Sequence, residues 1–286
     1  MIILDNAADM RAWCRQQRCA GKTIGFVPTM GALHEGHLSL MRAAAQDNDL
    51  AVASIFVNPT QFAPHEDFSK YPRTFDQDVA MCESAGVVAV YAPMAKTMYA
   101  EDYSTFVTVG GVSEGLCGGS RPHFFRGVAT VVTKLFNAVE ADHAYFGQKD
   151  AQQCAVIKRM VRDLDMAVEI VEMPIVREAD GLAMSSRNRY LSAEERVRAL
   201  CLSRSLFAAL EMMRGGERDA GAVKAAVSEG MREVNIDYVE LVDAETMRPV
   251  DRVEGPVLLA VAALLESARL IDNVKFDPAG NGGSNS

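Results

Sequence analysis

The sequence lacks a surplus of basic residues, a metal-binding cysteine pattern and a long hydrophobic run. Acidic residues outnumber basic residues by 38 to 29, which gives a formal net charge of -9. This balance argues against a nucleic-acid partner, because proteins that bind nucleic acids carry clustered Lys and Arg. An anionic substrate would therefore have to be held by a few cationic side chains in a locally positive cleft.

The six cysteines form no C-x-x-C pair, and no histidine lies near them at a zinc-binding spacing. Such cysteines are typical of reduced thiols in a cytoplasmic protein. The N-terminal residues have no basic segment followed by an apolar core, so no signal peptide is evident. The longest apolar stretch, Val257 to Leu265, is too short to span a bilayer. We therefore expect a soluble, cytoplasmic protein with no membrane partner.

The composition is that of a globular protein, with 49% hydrophobic and 23% charged residues in a chain of 286 residues. In the first part of the chain, apolar runs alternate with amphipathic runs, which predicts an α/β fold with a parallel sheet flanked by helices. The predicted strands are 24–27, 50–57, 87–91, 105–109 (an edge strand), 144–146 and 168–171. The predicted helices are 37–46, 76–85, 127–139 and 152–164.

The pattern changes in the second part of the chain, where helices are followed by strands without alternation. The predicted helices are 193–214 and 219–233, and the predicted strands are 236–242, 257–263 and 270–272. This order indicates a small α+β domain. We therefore predict one domain of residues 1–175 and a second of residues 176–286. The polar residues 280–286 are expected to be a disordered tail.

Two histidines stand in a glycine-framed segment after the first of these predicted strands. His34 and His37 are three residues apart, so both imidazoles can face the same side of an opening helical turn. Gly31 and Gly36 allow the main chain to approach a phosphate closely. Ligands of open α/β sheets bind at such strand ends, where imidazole donors can stabilise charge on a triphosphate under attack. The alternative is two unconnected histidines, one capping the helix and one packed.

Two further segments carry polar side chains in loops. Asn58 and Gln61 follow the second predicted strand and can hydrogen-bond a hydroxylated carboxylate, although Asn-Pro alone indicates only a turn. Residues 118–127 contain two glycines, Arg121 and Arg126 before a helix. This arrangement is typical of an anion-binding turn, but also of an ordinary surface loop.

Another strand-to-helix junction contains Lys149, Asp150 and Gln153. Lys149 can serve as a mobile cation for a phosphate oxygen, and Gln153 can reach a polar group of a substrate from the first helical turn. Asp150 can either take part in the site or cap the following helix.

A last loop carries Ser185, Ser186 and Arg187, which suit a mobile clamp on phosphates, or a capping serine pair on an exposed linker. Together, the five segments offer donors and cations without a carboxylate pair, a Ser-His-Asp set or a metal cage. That inventory favours transfer at phosphorus, where positioning and electrostatics supply most of the catalysis.

Five segments resemble those of the pantothenate synthetases, in the same order and over nearly the full chain. The family is related to the nucleotidyltransferases and the class I aminoacyl-tRNA synthetases, whose His-x-Gly-His signature His34–His37 matches. Met184–Arg187 resembles their second, phosphate-clamping signature. The matching segments are Pro28–His37, Phe56–Phe62, Tyr71–Thr74, Phe146–Asp150 and Arg177–Leu191.

The resemblance implies a Rossmann-like N-terminal domain, a smaller C-terminal lid and a homodimer. It also implies a ligase that uses ATP and Mg²⁺. The carboxylate of pantoate would attack the α-phosphate of ATP, and the amine of β-alanine would then take the acyl group from the adenylate. The products would be pantothenate, AMP and pyrophosphate.

Site residues carried over from the family fall into three groups, and the ligands of Mg²⁺ are not assigned. The residues expected to act in catalysis are His34, His37, Lys149 and Arg187. The residues expected to bind the nucleotide are these four together with Met30, Gly147, Asp150, Val176, Met184, Ser185 and Ser186. Those expected to bind the substrate are Gln61, Gln153, Asn58, Tyr71 and Arg121.

The sequence departs from the family pattern at two positions. Phe124 stands where the family usually has histidine, with His123 one residue early, and Gln148 stands where the family favours glutamate. Two other functions remain open at this point. One is a related nucleotidyltransferase that transfers AMP to a phosphorylated acceptor, and the other is a nucleotide-binding regulator that has lost catalysis.

Overall fold

A computed structural model describes residues 1–64 and 66–280, and these residues divide into two compact units that are discontinuous in sequence. The first unit contains residues 1–109, 121–147 and 156–173. The second contains residues 110–120, 148–155 and the chain from residue 174 onwards. The predicted division between residues 175 and 176 stays a prediction. The predicted tail lies outside the described residues, apart from Gly280.

The first unit is built on a six-stranded parallel sheet with the strand order β1-β4-β3-β2-β5-β6. Its central strands are buried on both faces, which explains why they are continuous apolar runs in the sequence. The strands are β1 (Ile2–Leu4), β2 (Ile24–Thr29), β3 (Leu50–Ile55), β4 (Val87–Tyr91), β5 (His143–Gly147) and β6 (Glu169–Met173).

The strand order reverses between β2 and β5, which are hydrogen-bonded neighbours. Open α/β sheets bind their ligands at such a switch point, beyond the carboxyl ends of the strands. The residues at those ends are Met30, directly after β2, and Gly147, the last residue of β5. The sheet therefore places two of the predicted site residues at its expected ligand-binding edge.

Helices connect the strands of this sheet, and further helices belong to the second unit. The longest, α6, buries Phe125, Leu135 and Phe136 among its core residues. The helices are α1 (Ala7–Cys19), α2 (Glu35–Asp47), α3 (Phe75–Ser84), α4 (Ala95–Met98), α5 (Leu116–Ser120), α6 (Phe124–Val139), α7 (Ala151–Asp163), α8 (Ala193–Ala199), α9 (Cys201–Arg214) and α10 (Ala220–Gly230).

The second unit contains a three-stranded antiparallel sheet, ordered β7-β8-β9. Strand β8 is buried at nearly every position, and the core formed around it includes Leu206 and Met213 of α9 and Val223 of α10. The strands are β7 (Asn235–Asp243), β8 (Val257–Leu264) and β9 (Arg269–Phe276). The predicted α/β fold with a smaller α+β part is confirmed.

The structure differs from the predicted elements in several places, and residues 118–127, expected as a loop, belong in part to α5 and α6. Residues 105–109 form no strand, because the main-chain N–H of Val107 donates to Thr130 Oγ1 (2.9 Å) and enters no ladder. The helix predicted over 193–214 is interrupted at Leu200, so that α8 and α9 are separate. Strand β1 and helix α1 were not predicted, since β1 has three residues and α1 buries only Met10 and Cys14.

Within the described part of the chain, no helix is both long and apolar enough to cross a membrane. All six cysteines are free thiols.

Candidate active site

The loop after β2 is held in one conformation by a buried carboxylate. Asp78 of α3, which is 1% exposed, accepts the main-chain N–H groups of Ala32 (2.9 Å) and Leu33 (2.8 Å). Gly31 has a φ of 78°, and a Cβ added there would lie 2.9 Å from Asp78 Oδ2. Ala32 also has a positive φ, of 51°. Only glycine accepts this close approach without strain, so Asp78 and Gly31 together determine the path of the chain into the histidine segment.

The two histidines of that segment lie side by side at the start of α2. His34 occupies the N-cap position without a side-chain capping bond, and α2 begins at Glu35. The ring centroids of His34 and His37 are 4.1 Å apart with an interplanar angle of 36°. The expectation that both imidazoles share one side of the opening turn is confirmed. A helix N-terminus carries a partial positive charge, so this pair lies where a phosphate would be stabilised.

A chain of amide hydrogen bonds connects the loop after β3 to Met30. Asn58, which is 1% exposed, accepts the N–H of Thr60 at Oδ1 (3.4 Å) and donates from Nδ2 to the carbonyl of Gly127 (3.2 Å). These two main-chain partners allow only one orientation of the amide, because an N–H cannot accept and a carbonyl cannot donate. Nδ2 therefore also donates to Gln61 Oε1 (3.0 Å).

The orientation of Gln61 follows from that contact. Its Oε1 accepts from Asn58, so its Nε2 is the outer end of the amide and donates to Met30 Sδ (3.2 Å). An amide nitrogen carries two hydrogens, which leaves a second donor on Gln61 Nε2. The side chain thus presents a donor, suited to the carboxylate or hydroxyl oxygen of a substrate.

Two neighbours support this amide chain. Tyr99 donates its hydroxyl to Asn58 Oδ1 (2.8 Å), and burial raises the pKa of Tyr99 to about 12, so the phenol stays protonated. A Cβ on Gly127 would lie 2.5 Å from the carbonyl oxygen of Thr60 and 2.8 Å from Gln61 Cα. Helix α6 therefore approaches the loop that carries Gln61 so closely that only glycine fits at position 127.

Arg121 forms a bidentate ion pair with Glu66. Its guanidinium donates twice to Glu66 (2.6 Å each) and once to the carbonyl of Gln61 (3.1 Å). Phe124, at the usual histidine position, lies beneath the guanidinium with its ring centroid 3.9 Å from Cζ. His123 is exposed. The substitution in the family pattern thus supplies a cation–π contact to Arg121.

Tyr71 is 6% exposed, and its ring meets that of Phe62 at 5.9 Å. Phe62 in turn lies 5.4 Å from Phe68. The ring of Tyr71 is therefore part of an aromatic cluster.

In the second unit, the turn that carries Lys149 is held by Asn273 of β9. The side-chain amide of Asn273 donates to the carbonyls of both Gln148 and Lys149 (3.0 Å each) and accepts from Gln148 Nε2 (3.2 Å). Gln148, the second departure from the family pattern, thus bonds to the residue that anchors its own turn. Lys149 Nζ lies 3.3 Å from Asp150 Oδ2, whose side chain is 44% exposed.

The preceding residue of β9, Asp272, holds the segment that leads to the predicted phosphate clamp. Its buried carboxylate pairs with Arg177 through two hydrogen bonds of 2.7 and 2.9 Å. Burial raises the pKa of Asp272, and the Arg177 guanidinium opposes that rise. Arg177 also donates to the carbonyl of Gly181 (3.1 Å), which has a φ of 95°.

Residues 176–184 form a hairpin closed by a hydrogen bond from the N–H of Met184 to the carbonyl of Val176 (3.0 Å). After it, Ser185 caps the short 3₁₀ helix Ser186–Tyr190 by accepting the N–H of Arg187 (3.3 Å). Ser185 thus caps this helix and Ser186 is buried (7% exposed), and their role as a phosphate clamp stays a prediction.

The remaining predicted residues differ in their surroundings. Gln153 on α7 is half-buried, whereas its neighbour Gln152 is buried and donates to the carbonyls of Val112 and Gly115 (3.1 and 2.7 Å). A Cβ on Gly147 would meet no described atom within 4 Å. Among the residues that the structure describes, no group of three or more His, Cys, Asp or Glu is placed to hold a metal ion.

Comparison with known proteins decides the family. The model of the family described as pantoate-beta-alanine ligase matches residues 2–275. The chain belongs to the pantoate-beta-alanine ligase family. It is therefore an enzyme, a ligase, and the family predicted from its sequence segments is confirmed.

Similar proteins span nearly the whole chain. The pantothenate synthetase of Acetivibrio thermocellus is 56% identical over 96% of this chain and 99% of its own. That of Moorella thermoacetica is 53% identical, over 97% and 99%. A crystal structure of pantothenate synthetase from Thermus thermophilus superposes with a TM-score of 0.91 at 44% identity, over 96% and 99% of the chains.

A crystal structure of the ligase from Francisella tularensis contains beta-gamma ATP and beta-alanine. It superposes with a TM-score of 0.77 at 31% identity, over 98% of this chain and 99% of that one.

Sequence reasoning missed three residues that position the predicted site of this ligase, namely Asp78, Tyr99 and Asn273. Asp78 lies in α3, Tyr99 directly follows α4, and Asn273 lies in β9. A buried polar residue must find hydrogen-bond partners, so a polar residue inside a predicted element, such as Asp78 in the helix predicted over 76–85, was the available signal.

Proposed function

We propose that this chain joins pantoate to β-alanine at the expense of ATP, through a pantoyl-adenylate intermediate. A carboxylate oxygen of pantoate attacks the α-phosphorus of ATP, and the bond to pyrophosphate breaks. The amine of β-alanine then attacks the acyl carbon, loses a proton and expels AMP. The observation that carries the proposal is the family match over residues 2–275. The ATP analogue and β-alanine in the Francisella tularensis relative support it.

In this reaction His34 and His37 contact the phosphates at the start of α2, a position that favours negative charge. Gln61 contacts pantoate, with the second hydrogen of its Nε2 donated to a pantoate oxygen, and Met30 lies against the nucleotide. Asn58 acts through Gln61, because it is buried and bonded to it. Arg121 holds the loop that carries Gln61 through the Gln61 carbonyl and Glu66, and Tyr71 packs on Phe62 of the same loop.

Two of the residues proposed to bind phosphate carry a positive charge. Two like charges about 4 Å apart repel by about 4 kcal/mol at an effective dielectric constant near 20, and a carboxylate that approaches ATP meets such a repulsion from the phosphate charges. Lys149 and Arg187 offset that repulsion, together with the hydroxyls of Ser185 and Ser186. Gln153 contacts pantoate, and the nucleotide lies against Gly147, Asp150, Val176 and Met184.

Mg²⁺ enters with ATP as part of the substrate. Mg²⁺ usually retains several waters and binds through phosphates with one or two carboxylates. This mode agrees with the lack of a metal-binding group of three His, Cys, Asp or Glu among the described residues.

The first experiment measures pyrophosphate and AMP release from Mg²⁺-ATP, with pantoate added first and β-alanine second. Pyrophosphate release that requires pantoate, followed by AMP turnover once β-alanine is present, is the expected result. Folded protein that binds ATP without releasing pyrophosphate would favour a regulator without catalysis. Pyrophosphate release with a phosphorylated acceptor in place of pantoate would favour a related nucleotidyltransferase.

A further inference from the structure

Strand β9 carries two consecutive buried polar residues, Asp272 and Asn273, each 3% exposed. Successive side chains of a strand point to opposite faces, so the two residues reach different segments. Asp272 pairs with Arg177, whereas Asn273 holds the Gln148–Asp150 turn. Burying an amide is unfavourable unless its donors and acceptor are hydrogen-bonded. The side-chain amide of Asn273 forms these hydrogen bonds with Gln148 and Lys149, which belong to one turn.

The hydrogen bonds of Asn273 leave its amide a single orientation. The carbonyl oxygens of Gln148 and Lys149 can only accept, so the nitrogen of the amide must face them. The oxygen then faces the other way and accepts from the side chain of Gln148 (3.2 Å). The nitrogen of the Asn273 amide therefore holds the main chain of Gln148 and Lys149, and its oxygen holds the side chain of Gln148.

We infer that Asn273 is a positioning residue of the ligation, which fixes the main chain at Lys149 and hence the place of its ammonium group. The inference rests on the proposed function, in which Lys149 neutralises phosphate charge. Lysine has a long flexible side chain. The main chain of Lys149 must therefore be fixed if its ammonium group is to be preorganised. Electrostatic stabilisation of a transition state depends on such preorganisation. Displacing a group by about 1 Å can slow a reaction about 100-fold.

The decisive variant is Asn273→Asp, which keeps the shape of the side chain but replaces two donor hydrogens with a carboxylate oxygen opposite two carbonyls. Asn273→Ala is the second variant, in case the introduced charge prevents folding. Val274→Ala is the matched control, because Val274 is a buried neighbour on the same strand (2% exposed) whose side chain belongs to the apolar core.

We expect pantoate-dependent pyrophosphate release to slow about 100-fold in Asn273→Asp, with the KM for ATP within about threefold of the wild type. The KM should change little because a displaced Lys149 loses its effect mainly on the transition state. Val274→Ala should keep the wild-type rate within about threefold at a temperature where it is folded. Hydrogen–deuterium exchange should accelerate at residues 148–151 in both Asn273 variants and not in Val274→Ala.

The inference is overturned if the folded Asn273 variants release pyrophosphate at the wild-type rate. It is also overturned if Val274→Ala slows the reaction equally, because the role would then be stability alone. A wild-type chain without pantoate-dependent pyrophosphate release would refute the proposed function instead. The exchange measurement would still show whether Asn273 fixes the turn, and unchanged exchange at residues 148–151 would refute that.

Discussion

At the scale of single residues, Lys149 is the side chain whose role can be tested with least disturbance to the fold. Its one described ion pair, to Asp150, is partly exposed, so its removal costs little stability. We expect Lys149→Ala to reduce adenylate formation at least about 100-fold, as does the loss of other groups that stabilise charge in a transition state. Pantoate-dependent pyrophosphate release measures this directly.

The control for that variant is Lys158→Ala on helix α7, which removes the same charge from a half-exposed lysine that pairs with Glu172. This control should retain the wild-type rate, and both variants should melt close to the wild type. Turnover near the wild-type value in Lys149→Ala would remove Lys149 from the mechanism.

A second prediction at this scale concerns the hydroxyl of Tyr99. Tyr99→Phe removes the hydrogen bond to Asn58, which fixes the amide of Gln61 in turn. We expect a loss of about 1 kcal/mol in the free energy of unfolding. We also expect a rise of about fivefold in the KM for pantoate, because that factor corresponds to about 1 kcal/mol. The KM for ATP should stay near its original value.

Tyr103→Phe is the matched control, because it removes a neighbouring hydroxyl for which the described residues offer no hydrogen-bond partner. The ring of Tyr103 lies 5.0 Å from that of Tyr99. Equal KM values for pantoate in the two variants would show that the amide chain does not set substrate affinity.

At the scale of structural elements, the loop between β2 and α2 depends on one carboxylate from α3. Asp78→Asn keeps the size of the side chain but turns an NH₂ group toward one of the two main-chain N–H donors. A buried donor left without an acceptor costs about 1–3 kcal/mol. We expect the free energy of unfolding to fall by about that amount, together with slower pyrophosphate release, because the loop leads directly to His34.

Asp76→Asn provides the comparison, since Asp76 is exposed on the same helix. That variant should match the wild type in both measurements. An Asp78→Asn protein that unfolds and reacts like the wild type would contradict the role assigned to the carboxylate.

A prediction about the pH dependence of stability concerns Glu195 in the first turn of helix α8. Hydrogen bonds from the N–H groups of Ser192 and Ser267 lower the pKa of Glu195 from an ordinary value of 4.5 to about 2. Since the folded pKa is the lower one, Glu195 stabilises the fold fully above about pH 4.5, and this contribution is lost as the pH falls toward about 2. In Glu195→Gln, the melting temperature should therefore fall less between these pH values than in the wild type.

Glu194→Gln is the control for that experiment, because Glu194 is an exposed carboxylate next to the same cap. It should keep the acid sensitivity of the wild type. Wild-type acid sensitivity in Glu195→Gln would contradict the assignment.

At the scale of the whole molecule, the homodimer implied by the family resemblance stays a prediction. Sedimentation velocity should give about twice the protomer mass of 31.1 kDa at micromolar concentration. A single species at the protomer mass over a wide concentration range would contradict it.

Much of the fold could be predicted because its signals are local. Apolar runs such as those of β2, β3 and β4 must be buried on both faces, which only a covered parallel sheet provides. The short strand β1 and the sparsely apolar helix α1 were missed because three residues and two buried positions give only a weak local signal. Residues 105–109 had an alternating pattern but bonded to Thr130 of α6 instead of another strand.

The sequence by itself determined the family, the order of the polar segments and their location at the ends of strands, because segments such as Pro28–His37 are contiguous. Only the tertiary structure decided how those residues are held. The amide orientation of Gln61, the binding of Arg121 to Glu66 and the anchoring of Lys149 by Asn273 each depend on residues between 3 and 124 positions apart. Hydrogen bonds are directional and short, so which partners meet is settled by packing, which sequence spacing does not encode.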